Sequence, residues 1–123
     1  MDKFQAFQSW IGSFVNGKAY LQNDVPDNAG FPRITYSLPV SEFDSFVMMA
    51  DASIWDQSNS WKNILLKTDE IYEAVGLGGI LIPYNDGKIW VKRGAPFSQP
   101  MDDEDIMIRR VLLSFEIEYL TAR

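Results

Sequence analysis

Phe46-Val47-Met48-Met49-Ala50-Asp51-Ala52-Ser53-Ile54-Trp55, followed by Asp56-Gln57-Ser58-Asn59-Ser60 and the run from Trp61 to Val75, hands one hydrophobic period over to another. Phe46, Met48, Ala50, Ala52 and Ile54 fall on one side of an extended chain, with Asp51 and Ser53 on the more polar side, which predicts a strand over 46–55. Residues 56–60 are of the types that turn chains and cap helices. Beyond them Trp61, Ile64, Leu65, Thr68, Ile71, Tyr72 and Val75 recur at steps of three and four, the stripe of an amphipathic helix over 60–75. A strand feeding a helix through a polar turn predicts an α+β or α/β layer rather than an all-helical or all-β design.

Downstream, the helix runs into Gly76-Leu77-Gly78-Gly79. Glycine loops that cradle phosphate precede a helix, because its N-terminal amides hold the anion; this cluster follows one and reads as a stop. Ile80–Tyr84 and Lys88–Arg93 then flank Asn85-Asp86-Gly87, a hairpin signal, and Pro83 lacks an N–H donor, which places its strand at an edge or a bulge. Residues 94–105 are rich in breakers and predict a long loop carrying Phe97 and the acidic run Asp102-Asp103-Glu104-Asp105. In the last segment Met107, Val111, Leu113, Phe115, Ile117 and Tyr119 share one face, and Arg110, Ser114, Glu116 and Glu118 share the other with Leu112, a long strand with one charged side.

Upstream, Arg33–Leu38 alternates Ile34, Tyr36 and Leu38 against Arg33, Thr35 and Ser37. This predicts a strand ended by Pro39 and, after a turn at Ser41–Ser45, antiparallel to 46–55. Residues 22–32 predict another loop. Residues 3–15 carry Phe4, Phe7, Trp10, Ile11, Phe14 and Val15 on one side and meet Asn16-Gly17, a helix with its stop. Its polar face lacks the Lys and Arg excess of a membrane-surface anchor, so the aromatic face is read as packing on the sheet.

Length and composition bound the rest. A chain of 123 residues with 46% hydrophobic and 14% aromatic content is read as one folded domain over 1–123, with a real core. No segment reads as a bilayer span and the N-terminus lacks the order of a signal peptide, so the expectation is a cytoplasmic protein with no membrane partner. Zero Cys and zero His exclude thiolate nucleophiles, Ser-His-Asp triads, imidazole bases and Cys/His zinc sites. Carboxylates, lysines, tyrosines and oxygen-ligated metals remain, and the chain is read as a non-enzyme without cofactor or metal. The formal net charge of −6 opposes tight binding to nucleic acid.

Two carboxylate groupings have a sharper reading. The run 102–105 has metal-binding residue types but lacks the alternating ligands and central glycine of a calcium loop, so it is read as a solvated loop or one that meets a basic partner. Glu116 and Glu118 share a strand face and suit acid/base work, yet a solvent- or lumen-facing charged surface is the better reading. A small metal-dependent hydrolase would need the two groups to converge. Lys88, Lys92 and Arg93 beside Trp90 and Tyr84 have the residue types of a nucleic-acid patch or a subunit contact, and the acidic whole favours the contact. Trp55 and Phe97 fit that reading too. The third class is an adaptor that binds a peptide along a sheet edge, which Pro83 makes less inviting. Two loops, a hairpin and a charged strand face suggest an assembling protein.

The order of pieces carries a resemblance. Phe31-Pro32-Arg33-Ile34-Thr35-Tyr36 ("P-x-I-T-Y"), the passage through Ile54-Trp55 and Ser58-Asn59-Ser60-Trp61 ("x-I-W-x-x-S-x-S-W") and the closing strand Ile108–Ile117 resemble the tail-terminator (tail-completion) proteins of long-tailed bacteriophages. The resemblance implies an α+β fold: a mixed, mainly antiparallel sheet flanked by an N-terminal and a central helix, with a protruding β-hairpin. It implies a homo-oligomeric, hexameric ring that caps the tail tube, stops its polymerisation and offers a surface to head-completion proteins, while DNA passes through unread. Its site would be the host cytoplasm during assembly and then the head–tail junction of the virion. Glu116 and Glu118 become channel-facing candidates, where like charge keeps DNA from sticking. Trp55, Tyr84, Trp90, Lys92, Arg93, Phe97, Asp102 and Asp103 become contact candidates toward subunits, the major tail tube protein or the head. The resemblance transfers no catalytic residue. A head-completion or connector subunit is the alternative within the virion.

Overall fold

The computed structural model describes residues 1–39 and 47–121, and the expected turn at 41–45 and Phe46 lie outside them. Among the described residues, two α-helices and six strands run α1 (Lys3–Gly12), a 3₁₀ turn (Ser13–Val15), β1 (Ala19–Leu21), β2 (Arg33–Ser37), β3 (Met48–Gln57), α2 (Lys62–Val75), β4 (Ile80–Tyr84), β5 (Gly87–Met101) and β6 (Ile108–Thr121). They form one sheet in the order β1-β2-β3-β6-β5-β4, antiparallel throughout except for the parallel pair β1–β2. This is the α+β fold with a mixed, mainly antiparallel sheet that the resemblance implied, and it decides between the α+β and α/β layers that the residue pattern left open.

The hydrophobic periods account for the layers. Ile34 and Tyr36 of β2, Ala50, Ala52 and Ile54 of β3, and Val111, Leu113, Phe115, Ile117 and Tyr119 of β6 are all buried. Their shared parity puts them on one face of the sheet. Both helices pack on that face. Phe7 of α1 meets Tyr36 and Phe115 at ring-centroid distances of 5.5 and 6.1 Å, while Tyr72 of α2 meets Phe97, which in turn meets Phe115 at 5.6 Å. Phe115 is therefore the hub that joins the two helices to the sheet, and the opposite face is left without a helix.

Local signals set the ends of the elements. Asp2 caps α1, accepting from the Gln5 amide at 2.8 Å while the Gln5 side chain accepts from the Asp2 amide, a capping box. Asn16 and Gly17 turn the chain out of the 3₁₀ turn with φ of 54° and 84°. Ser60 Oγ accepts from the Lys62 amide at the start of α2, and Gly76, at φ 74°, ends it. Pro83 sits in β4, at the sheet edge, as its missing donor requires.

Two expectations need correction. Residues 94–101 are strand, not loop: β5 continues to Met101, and the connection to β6 begins at Asp102. Arg93 pairs with Phe115 and Ser98 with Leu113, so five residue steps along β5 meet two along β6 and the surplus bulges. Gly94 allows the crossing, since a Cβ there would stand 2.7 Å from the Ser114 carbonyl oxygen. The stretch 22–32 is irregular as expected, and it follows β1, a strand too short to register in the sequence pattern. Met107 also departs from its expected face; it precedes β6 and is exposed.

Candidate functional site

The helix-free face carries the charged residues, and strand register decides which meet. Arg33 of β2, Trp55 of β3 and Arg110 of β6 stand in one row across three strands, and Thr35, Ser53 and Leu112 stand in a row two residues along. Trp55 Nε1 donates to Thr35 Oγ1 at 3.0 Å, and Arg110 Nε donates to Ser53 Oγ at 3.1 Å. The Arg110 guanidinium lies 4.7 Å from the centre of the Trp55 ring. Ser53 is thereby buried on what is otherwise the polar face, with its hydroxyl satisfied. With the segment Gln22–Val25 these rows enclose a cleft of about 520 Å³.

This end of the sheet concentrates arginine on aromatic rings. Arg33 stacks on Phe31 at 4.4 Å, Arg110 on Trp55, and Arg109, facing the helices, lies 5.1 Å from Trp61. Arg33 donates from Nη1 to the Ala29 carbonyl at 3.2 Å. The Nε–H groups of Arg33 and Arg109 are buried and have no acceptor among the described residues. An unpartnered buried donor on a cation costs free energy until an acceptor arrives. The cleft itself is lined by Arg33 and Arg110 and also by Asp51, so two cations stand against one anion beside the Trp55 ring, while Arg109 lies outside it.

The residues singled out by sequence distribute over several places. Trp55 is in the cleft. Trp90, Lys92, Glu116 and Glu118 lie further along the same face: Lys92 Nζ stacks on Trp90 at 4.2 Å and pairs with Glu118 Oε1 at 3.4 Å. Lys92 turns to Glu118 although its direct cross-strand neighbour is Glu116. The Trp90 indole donates to the Gly78 carbonyl at 3.0 Å, which ties the hairpin to the loop after α2. Arg93 faces the helices, where its Nε and Nη2 donate to the Tyr72 carbonyl in the last turn of α2 at 3.0 and 2.8 Å. Phe97 turns into the aromatic cluster around Phe115 and is half-buried. Tyr84 ends β4 beside the Asn85–Asp86 turn, whose Asn85 is bonded to the N-terminus. Asp102 and Asp103 are exposed in the β5–β6 connection.

The acidic run and the Glu116/Glu118 pair do not converge. Met101 pairs with Arg110, six residues before Glu116 on β6, a separation of about 20 Å at the usual strand rise. No group of three acidic residues among the described residues is placed to hold a metal ion. No helix among them is long and apolar enough to cross a membrane.

Arg33, Arg109 and Arg110 were not singled out as a set by sequence reasoning. They come from strands that are distant along the chain, and only the β2–β3–β6 register unites them. The available signal was the phase of the alternation, which put Arg33 and Arg110 on the polar faces of their strands.

With this geometry the fold can be compared with known ones. No family model matches the chain, and no curated protein matches it. Solved structures do. A chain from the virion of a native gene transfer agent particle superposes with a TM-score of 0.56 at 14% identity, covering 94% of this chain and 90% of that one. The fold is one that a virion uses. A second solved chain superposes with a TM-score of 0.60 at 10% identity, over 97% of this chain and 91% of that one. At these identities the likeness shows a shared fold, and it spans the domain from end to end rather than a fragment of it.

Proposed function

We propose that the protein is a structural virion component, a tail terminator that caps the tail tube as a ring, stops its polymerisation and offers a surface to the head-completion proteins. The observation that carries this reading is the superposition, over nearly the whole of both chains, on a chain of a gene transfer agent virion. The tail-terminator resemblance of the sequence supports the finer assignment. Its first passage, 32–36, enters β2, and its second, 53–61, runs from the end of β3 through the turn to α2; within them Arg33 pairs with Trp55 and Ile34 with Ile54. The passages that resemble the family thus build one end of the sheet and one wall of the cleft.

The architecture suits such a role. A six-stranded sheet backed on one face by two helices is stiff, and its other face is free for contacts. Exposed apolar side chains stand at the periphery: Leu77 after α2 is 97% exposed and Ile106 before β6 is 78% exposed. Apolar groups scattered singly are ordinary on a protein surface, so these residues add no argument for assembly by themselves. Glu116 and Glu118 are proposed to face the channel. Because Lys92 partly offsets Glu118, Glu116 carries most of the repulsion toward DNA there.

Light scattering of the protein alone, and then with tail tubes of its own virus, tests the reading. A hexamer-sized species, or a monomer that forms rings only on tube ends, is the expected result. A monomer that ignores tubes would refute it.

A further inference from the structure

The arginine cleft and the acidic run Asp102–Asp105 lie side by side at one end of the sheet without touching. The acidic connection leaves β5 at Met101, which is paired with Arg110 of the cleft. Even so, among the described residues none of its four carboxylates forms an ion pair with an arginine, and none lines the cleft. Each surface keeps its charge. Arg110 uses Nε on Ser53, and among the described residues its two terminal nitrogens have no hydrogen-bond partner, a fork of the kind carboxylates accept in pairs. Arg33 Nε is buried without an acceptor.

The acidic connection has a fixed shape. Asp103 Oδ1 accepts from the Asp105 amide at 3.0 Å, and Asp105 Oδ1 accepts from the Met107 amide at 2.8 Å. Those two carboxylates are occupied in holding the turn, so Asp102 and Glu104 are the exposed acids free to reach outward, with the exposed Ile106 close behind them. Acid, acid and aliphatic in that order complement a cleft that sets two arginines around an indole, with Asp51 as the single acid in its lining.

We infer that the cleft is the receptor for the acidic connection of a second copy of this chain. Asp102 and Glu104 of that copy pair with Arg110 and Arg33, and its Ile106 covers the Trp55 ring. The argument is charge complementarity. A molecule of net charge −6 places three of its five arginines at this end, and the matching anion is built into every copy of the chain. The inference rests on the reading that the protein assembles with itself, and it names the contact.

A charge-swap experiment tests it. Arg110→Glu turns the cleft's excess of positive charge, Arg33 and Arg110 against Asp51, into an excess of negative charge beside the native acidic connection; Asp102→Lys with Glu104→Lys gives a basic connection beside the native cleft. Self-association is read by light scattering in solution and by cross-linking on tail-tube ends, with circular dichroism to confirm that each variant is folded. Each variant alone is expected to self-associate about tenfold or more weakly than wild type. The two mixed in equal amounts are expected to associate again, because the acidic cleft of one meets the basic connection of the other, and the native cleft meets the native connection. Arg110→Gln, which keeps a donor for Ser53 while losing the charge, is expected to weaken association too, and it serves if Arg110→Glu does not fold. Wild-type association that survives both swaps, or a mixture that restores nothing, overturns this docking while leaving assembly intact. Wild-type protein that never associates, in solution or on tubes, overturns assembly and docking together.

Discussion

Replacing Arg93 with alanine should loosen the end of α2 rather than an outer contact. Two N–H groups of one guanidinium converge on the Tyr72 carbonyl at 3.0 and 2.8 Å, and the same guanidinium lies 3.4 Å from the centre of the Tyr72 ring. A hydrogen bond from a charged donor contributes about 1.5–3 kcal/mol, a cation near a helix C-terminus about 0.3–1, and a cation on an exposed ring about 0.5–1. These terms share one acceptor and one side chain and do not add. The half-exposed setting lowers them further, which leaves about 2 kcal/mol for Arg93→Ala. For a domain of this size that is a fall of about 6–10 °C in Tm. Arg93→Lys keeps the charge and loses the fork, so about half the loss is expected. Lys92→Ala breaks only the partly exposed pair with Glu118 and should cost under about 1 kcal/mol. Urea and thermal unfolding followed by circular dichroism measure all three. If Arg93→Ala lies within about 0.5 kcal/mol of wild type, where ordinary surface substitutions fall, Arg93 does not hold the helix and the reasoning fails.

Three further outcomes are expected. Phe115→Ala removes the ring that Phe7, Trp10 and Phe97 pack on and should cost about 3–5 kcal/mol in urea unfolding. Gly94→Ala sets a Cβ 2.7 Å from the Ser114 carbonyl oxygen, so a loss of about 1–3 kcal/mol is expected from overpacking; an unchanged midpoint would show that the bulge yields freely. Burial, with a smaller contribution from Tyr84, pushes the Tyr119 hydroxyl up to about 12, and that hydroxyl donates to the Pro39 carbonyl at 2.8 Å. The folded state then holds this proton more tightly than the unfolded state. Its contribution is complete below the ordinary tyrosine value of 10.0 and is lost as pH rises toward about 12. Stability should fall with pH in that window and fall less in Tyr119→Phe; equal slopes would count against the burial that holds the proton on Tyr119.

What the sequence disclosed depended on how far each signal reached. The period of two in β2, β3 and β6 and the period of three to four in α2 each lie within one segment, so elements, faces and the β2–β3 pairing were legible. The turn at Asn85–Asp86 was legible for the same reason, since its strands touch on either side of it. The continuation of β5 was not. Gly94, Pro96 and Pro100 carry the marks of a loop, and only pairing with β6 shows that the strand absorbs them in a bulge. Among the basic residues, Lys88, Lys92 and Arg93 form a patch in the sequence because they fall within six residues of one another. Arg93 and Lys92 nonetheless project to opposite faces of β5, one to a helix end and one to Glu118. The cleft needs Arg33, Trp55 and Arg110 from three strands, and no local pattern records their row.

The most direct test of the central claim is tail-tube growth. Tube protein of the same virus is polymerised with and without this protein, and tube lengths are measured by electron microscopy. The account predicts that tubes stop short in a dose-dependent manner, with ring density of this protein at one end only. Tubes of equal length with bare ends, in the presence of folded protein at matching concentration, would contradict it.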